Sequence, residues 1–203
     1  MKTIPLKFRF KGNRDYVHGT DVYNQTMDEI KAQCNCNELK ALKFAIHHIA
    51  SRHCDLLLGD AGEVLKKPDD IFVDLFINTD KGNLFAFLVE TNKAVKDRYE
   101  YDENRIGVLC KIIGEKIIIS GKSGYSSIET AVSMTKKLHY ELFQVKHGKW
   151  FFTRLELKRL LENADSGKLA IVFKHNLDNR FTKSEIFSGK ECIGHIYFSL
   201  VKR

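Results

Sequence analysis

Two helix-forming stretches, each preceded by a strand pattern and followed by several more, divide the 203 residues into similar halves. In the first half, Ile4, Leu6, Phe8 and Phe10 alternate with polar or basic residues, which predicts a one-sided strand over 4–10. Gly12 and Asn13 end it. A polar stretch from Asp15 leads to a helix over about 22–33, which Thr20 or Asp21 can N-cap. Alternation of Leu42, Phe44, Ile46 and His48 predicts a strand over 39–50, although Leu39, Leu42, Ala45, Ile46 and Ile49 also fit helical spacing. Residues 59–70, with Pro68, form a loop. Residues 71–78 and 84–91 flank Thr79 to Asn83 as a β-hairpin. The charged segment 92–103 is a loop, and 105–113 and 115–120 are two β-branched strands around Gly114.

The second half repeats the order. After the loop Gly121 to Tyr125, Ser126 or Ser127 can N-cap a helix, with Glu129 placed for a capping box. Ile128, Val132, Thr135, Leu138 and Leu142 form its buried stripe. An apolar segment over 150–161 and strands over 168–175, 180–187 and 192–201 complete the chain. Arg105-Ile106-Gly107-Val108 echoes Cys192-Ile193-Gly194-His195 near the two ends. Each half, 1–113 and 114–203, therefore reads β-α-β-β-β-β and belongs to the α+β class. An antiparallel sheet with one apolar face needs a helix to cover it. This order resembles that of the hotdog fold, in which a sheet wraps a central helix, and two such halves imply a double hotdog. The alternative is a tandem of ferredoxin-like βαββαβ units, with 39–54 and 151–163 as the extra helices.

Thirty-three Lys and Arg against 26 Asp and Glu give a net charge of +7. Such a surface attracts polyanions, either nucleic acid or phosphorylated carriers such as coenzyme A. Hydrophobic residues at 43% and only two prolines exclude a disordered or Pro-rich chain. The apolar runs, such as 117–119 and 56–58, are far too short to span a membrane. The N-terminus lacks the apolar core of a signal peptide, so a cytoplasmic location is the expectation. Five cysteines at irregular spacing predict reduced thiols. Cys34 and Cys36, with His47, His48, His53 and Cys54, contain the residue types of a zinc site but not its paired spacing, so no metal is expected. No phosphate-binding, dinucleotide or nucleophile-elbow motif occurs.

One loop concentrates chemistry. Asn13 to Asn24 places Arg14, Asp15, His18, Gly19 and Asp21 just before a helix, whose N-terminal N–H groups can hold a carbonyl or oxyanion. A carboxylate there can act as base or nucleophile. The segment resembles the loop entering the central helix of 4-hydroxybenzoyl-CoA thioesterase-like hotdog proteins, through Asp15, Gly19, Val22, Tyr23 and Asn24. The gap from Asp to Gly is one residue longer here, and Thr20-Asp21 stand between the Gly and the Val. The resemblance implies an acyl-thioester hydrolase or dehydratase acting on coenzyme A or acyl-carrier-protein thioesters, without a cofactor. Asp15 would be base or nucleophile, His18 an auxiliary acid or base, and Gly19 N–H the donor to the thioester carbonyl. Arg14, Asp21, Tyr23 and Asn24 would contact substrate, unless Asp21 is only a helix cap. The equivalent loop, 122–127, has neither Asp nor His, so one competent site per chain is expected, with Lys122 near a phosphate. The competing expectation is a non-enzymatic nucleic-acid-binding module with Tyr16, Tyr23, Tyr125 and Trp150 as stacking groups. Assembly as a monomer or homodimer, without a membrane partner, fits either reading.

Overall fold

Ile4 and Leu6 alternate with polar neighbours in β1 (Lys2–Leu6), but the strand expected over 4–10 does not continue. The Phe8 N–H instead donates to Nδ1 of His53 at 3.0 Å. The chain resumes as β2 (Phe10–Lys11), which pairs in parallel with β7 (Arg98–Tyr99). A computed structural model describes residues 2–34, 38–60, 68–145 and 147–201. The chain divides into two compact units, Met1–Tyr101 and Asp102–Arg203.

The remaining elements of the first unit are α1 (Gly19–Gln33), β3 (Leu39–Ile46), β4 (Arg52–Asp60), β5 (Val73–Thr79) and β6 (Gly82–Ala94). Its strands lie in the order β1-β4-β6-β5-β3, every neighbour antiparallel. α1 buries Val22, Tyr23, Thr26, Met27 and Ile30, a stripe at helical spacing. Tyr23 meets Phe44 of β3 edge-on, with ring centroids 5.7 Å apart. Phe44, Leu42, Leu56, Val73, Leu75, Ile77 and Leu88 supply the sheet's buried side.

The second unit begins with α2 (Asn104–Gly107), a single turn where a strand over 105–113 was expected. The Asp102 side chain accepts from Asn104 N–H at 3.0 Å, and Ile106 turns into the core. Both features favour a turn over an extended chain. β8 (Cys110–Ile113) and β9 (Lys116–Ile119) follow as a hairpin through Gly114 at φ +56. Then come α3 (Ser127–Leu142), β10 (Lys149–Leu157), a 3-10 turn at 163–165, β11 (Leu169–Leu177), β12 (Phe181–Ser188) and β13 (Glu191–Val201). Ser126 and Glu129 form the anticipated capping box at α3. The strand order is β8-β9-β11-β12-β13-β10, and α3 packs on β9, β10 and β11.

Each unit sets two strands before its long helix and at least four after it, with α2 added in the second unit and β7 in the first. Spatial order differs. β11, β12 and β13 lie side by side in chain order, whereas β6 lies between β4 and β5. β4 and β5 are both antiparallel to β6 and so run in the same direction. β4 and β5 are therefore not a hairpin pair, whereas β11–β12 and β12–β13 are. Residues 39–46 and 149–157 are strands, and each unit has one long helix among its described residues, which excludes the ferredoxin-like alternative.

Other expectations change with burial and bonding. Tyr23 and Trp150 are buried in the apolar core and present no stacking surface. Cys34, at the extended C-cap of α1, is disulfide-bonded, which corrects the expectation of five reduced thiols, while Cys54, Cys110 and Cys192 are free. The imidazoles considered for zinc are otherwise engaged: His47 Nε2 lies 3.0 Å from Asp74, and His53 accepts from Phe8. Cys36 and Lys146 lie outside the described residues. Among those described, no cluster of His, Cys, Asp and Glu could hold a metal, and no helix is long and apolar enough to cross a membrane.

Candidate functional site

α1 starts three residues earlier than its apolar spacing suggests because His18, not Thr20 or Asp21, is its N-cap. His18 is extended, at φ −78 and ψ 134. Its Nδ1 accepts the Thr20 N–H at 3.4 Å and lies 2.7 Å from Thr20 Oγ1. Its carbonyl takes the N–H groups of Asp21 and Val22 at 2.9 and 3.1 Å. Gly19 is therefore the first helical residue rather than part of a loop. Upstream, the Val17 N–H bonds to the Ala50 carbonyl at 2.8 Å, tying the loop to the first unit's body.

Beneath this helix start lies a lysine that the sequence did not single out. Lys11 is wholly buried. Burying an unpaired ammonium costs several kcal/mol, and three kinds of partner offset that cost. Lys11 Nζ donates to Asp21 Oδ1 at 3.0 Å and to Thr20 Oγ1 at 3.1 Å, and lies 4.2 Å from the Tyr101 ring centroid. Asp21 accepts a second hydrogen bond, on Oδ2, from the Tyr99 hydroxyl at 2.7 Å. Its carboxylate thus binds Lys11 to β7. In an unbroken strand Lys11 would share the solvent face with Lys7 and Arg9. The break at 7–9 turns it inward, and alternation alone cannot reveal that. The spacing of Tyr99 and Tyr101 in a charged segment was the one available signal.

Further cations surround this core. Arg14 donates from Nη1 to the Lys11 carbonyl at 3.2 Å and lies 5.6 Å from the Tyr101 centroid. Arg98 bonds the Gly12 carbonyl and, at 2.8 Å, the Arg14 carbonyl. Arg9 lies 5.1 Å from the Tyr99 centroid. Arg14, His18, Gly19 and Asp21 therefore come together, with Lys11, Tyr99 and Tyr101 added. Asp15 is exposed in the turn before the helix, Asn24 is half-buried, and Tyr23 is buried deeply enough to push its phenol well above the usual range. Lys122 is exposed and belongs to the second unit. There the loop before α3 is organised by Ser123 Oγ, 2.7 Å from Thr130 Oγ1, and by Ser126.

Lys11 can only donate, so Thr20 Oγ1 accepts from it, and the hydroxyl hydrogen has two acceptors in reach, His18 Nδ1 at 2.7 Å and Asp21 Oδ1 at 3.4 Å. When Nδ1 accepts the Thr20 N–H, a neutral His18 carries its proton on Nε2 and is a donor at that nitrogen. The positive end of the α1 dipole adds to the field at the same place.

No protein-family model matches this sequence, and no curated protein does. Among solved structures, the chain is similar to a protein of Thermobifida fusca YX assigned as a thioesterase II. That likeness has a TM-score of 0.50 and 10% identity, over 98% of this chain and 91% of that one. It is also similar to the dehydratase domain of PpsC from Mycobacterium tuberculosis, solved in complex with C12:1-CoA. The TM-score is again 0.50, with 7% identity over 98% and 92% of the two chains. At such identities the likeness bears on the fold alone. Both are hotdog proteins, and the α+β fold of this chain is a hotdog fold.

Proposed function

We propose that this chain is a double hotdog that hydrolyses or dehydrates acyl groups carried as thioesters of coenzyme A or a carrier protein. The observation that carries this reading is the likeness, over 98% of the chain, to a thioesterase II and to a dehydratase domain bound to an acyl-CoA. One long helix among strands in each of the two units supports the double arrangement, and the cationic helix start in the first unit supports the location of the site.

In this reading the thioester carbonyl sits at the N-terminus of α1. Gly19 N–H and the helix dipole stabilise the charge that develops on its oxygen. The Asp15 carboxylate removes a proton from water as the water oxygen attacks the carbonyl carbon. When the C–S bond breaks, His18 Nε2–H supplies the proton that the thiolate takes up. Arg9, Arg14 and Arg98 hold phosphates of the carrier. Lys11 and Asp21 act one step back: they set the helix start.

Turnover of a panel of acyl-CoAs tests the proposal. Asp15→Asn should lower kcat by about 10²–10⁴-fold, the range for loss of a positioned acid or base. His18→Asn keeps a capping side chain and should lower kcat with the fold intact. Unchanged hydrolysis by Asp15→Asn would overturn the assigned mechanism. Failure to turn over or bind any acyl thioester would overturn the function.

A further inference from the structure

The open face of the second unit's sheet carries side chains that the thioester chemistry does not use. In β10, β13 and β12 one side of the strand is buried: Trp150, Phe152, Leu155 and Leu157; Ile196 and Phe198; Thr182, Ser184 and Ile186. The opposite side forms rows across the strands. One row is Phe151, Ser199, Phe181 and Leu177. The next is Arg154, Tyr197, Lys183 and His175. A third is Glu156, His195, Glu185 and Val172. Apolar and aromatic groups, then cations, then acids follow one another along the strands.

The acids are already engaged. Glu156 accepts from the Tyr197 hydroxyl at 2.7 Å and pairs with Arg154, and Glu185 pairs with Lys174 at 3.0 Å. Lys183 and Lys149, at the start of β10, make no ion pair among the described residues. Lys183 and Arg154 flank the Tyr197 ring at 5.6 and 5.5 Å from its centroid. Phe181 is 55% exposed and Leu177 is 64% exposed, a large apolar outlay for a hairpin end. Phe181 and Tyr197 are diagonal neighbours on adjacent strands, about 7–8 Å apart at the backbone. Two rings at that spacing, bordered by uncompensated cations, form a surface with two complementary affinities.

We propose that this face binds single-stranded nucleic acid, with bases stacked on Phe181 and Tyr197 and phosphates held by Lys183 and Lys149. Rings accept any base by its π-face, and the cations follow a backbone of regularly spaced charge. An acidic protein would use the cations but has no planar groups to match the rings. A second copy would set like charges against like, because the unpaired groups on this face are all cationic. The site is separate from the helix start of the first unit, so its fate does not depend on the thioester reading.

Fluorescence anisotropy of labelled oligothymidylate with the full chain tests the proposal. Two phosphate contacts, each worth a logarithmic salt slope of about −0.7, should weaken binding roughly sevenfold between 50 and 200 mM salt. Phe181→Ala should weaken it about tenfold, within the range for losing one stacked base. Lys183→Gln should weaken it and flatten the salt slope. Lys190→Gln, at the β12–β13 turn, should leave it unchanged. An abasic strand of equal length should bind at least tenfold more weakly. No binding at low salt overturns the proposal, as does indifference to both Phe181→Ala and Lys183→Gln. Equal loss in Lys190→Gln reduces the effect to diffuse charge. Equally tight binding of the abasic strand or of polyglutamate assigns the face to acidic partners in general. Either of these last two outcomes also overturns the proposal.

Discussion

His139, in the last turn of α3, is wholly buried among Phe143, Trp150, Phe173 and Phe198, with ring centroids 4.9–6.4 Å away. Neither of its ring nitrogens has a hydrogen-bond partner among the described residues, nor has Trp150 Nε1. Burial pushes its pKa down to about 4, against roughly 6.5 in an unfolded chain. The unfolded state therefore takes up the proton first. The full stability is present above pH 6.5 and is lost as pH falls through 4, by about 3 kcal/mol in all. His139→Phe should keep the ring packing and remove that dependence. Urea denaturation at neutral pH and at the acid end of the window would show it, and parallel pH profiles for the two proteins would contradict the assignment. Asp165 works in a lower window. Burial alone would raise its pKa, but the bidentate bond from Arg159 at 2.9 and 3.0 Å, Ser188 Oγ at 2.6 Å and Glu162 N–H at 2.8 Å outweigh that and hold it at about 2. Its contribution is complete above about pH 4 and disappears as pH falls through 2. Asp165→Asn removes the bidentate acceptor of Arg159, which keeps Glu191 and the Leu160 carbonyl, and should cost about 2 kcal/mol at pH 7. The loss should shrink toward zero at the acid end; a constant loss would point to packing instead.

At the scale of elements, both long helices, the 73–94 hairpin and the three C-terminal strands were legible in the sequence because each writes its own period. β4 was not. Its outward-facing Leu57 sits between inward-facing Leu56 and Leu58, so the alternation that marks a half-buried strand is absent. The break after β1 and the turn at α2 were also hidden, because partners distant in sequence or side-chain turns decide them: His53 for one, Asp102 for the other. The same cause explains the candidate site. Arg14, Asp15, His18 and Asp21 stand together in the sequence, whereas Lys11 and Tyr99 meet Asp21 only once β2 and β7 pair. Gly194 shows an element-level requirement that only the fold reveals. A Cβ there would lie 2.1 Å from the Glu156 carbonyl oxygen, so β13 and β10 approach closely only because the position has no side chain. Gly194→Ala must separate the two strands and should cost about 3 kcal/mol or more, read as a lower thermal midpoint. A midpoint unchanged by the substitution would mean the strands part freely.

For the whole molecule, each unit has one long helix among its described residues, but the two differ in sheet order and in chemical inventory. The approach to α1 holds Arg14, Asp15 and His18 over a buried Lys11–Asp21 pair. The approach to α3 holds Lys122, Ser123 and a serine capping box, with no carboxylate or imidazole before the helix. A helix N-terminus alone supplies N–H groups and a partial charge, which hold an oxyanion but neither activate water nor protonate a thiolate. Under the thioester reading, one of the two helix starts is therefore equipped, and the chain should carry one site. Calorimetric titration with a non-hydrolysable acyl-CoA analogue should saturate at one ligand per chain, whatever the oligomeric state, because the count is taken per chain. Ser126→Ala should lower thermal stability by about 1 kcal/mol, the usual cost of losing an N-cap, and leave that stoichiometry intact. His18→Asn should weaken binding at the single site. Saturation at two ligands per chain, with Ser126→Ala removing one of them, would show that the α3 helix start is a second site and that a bare N-terminus suffices.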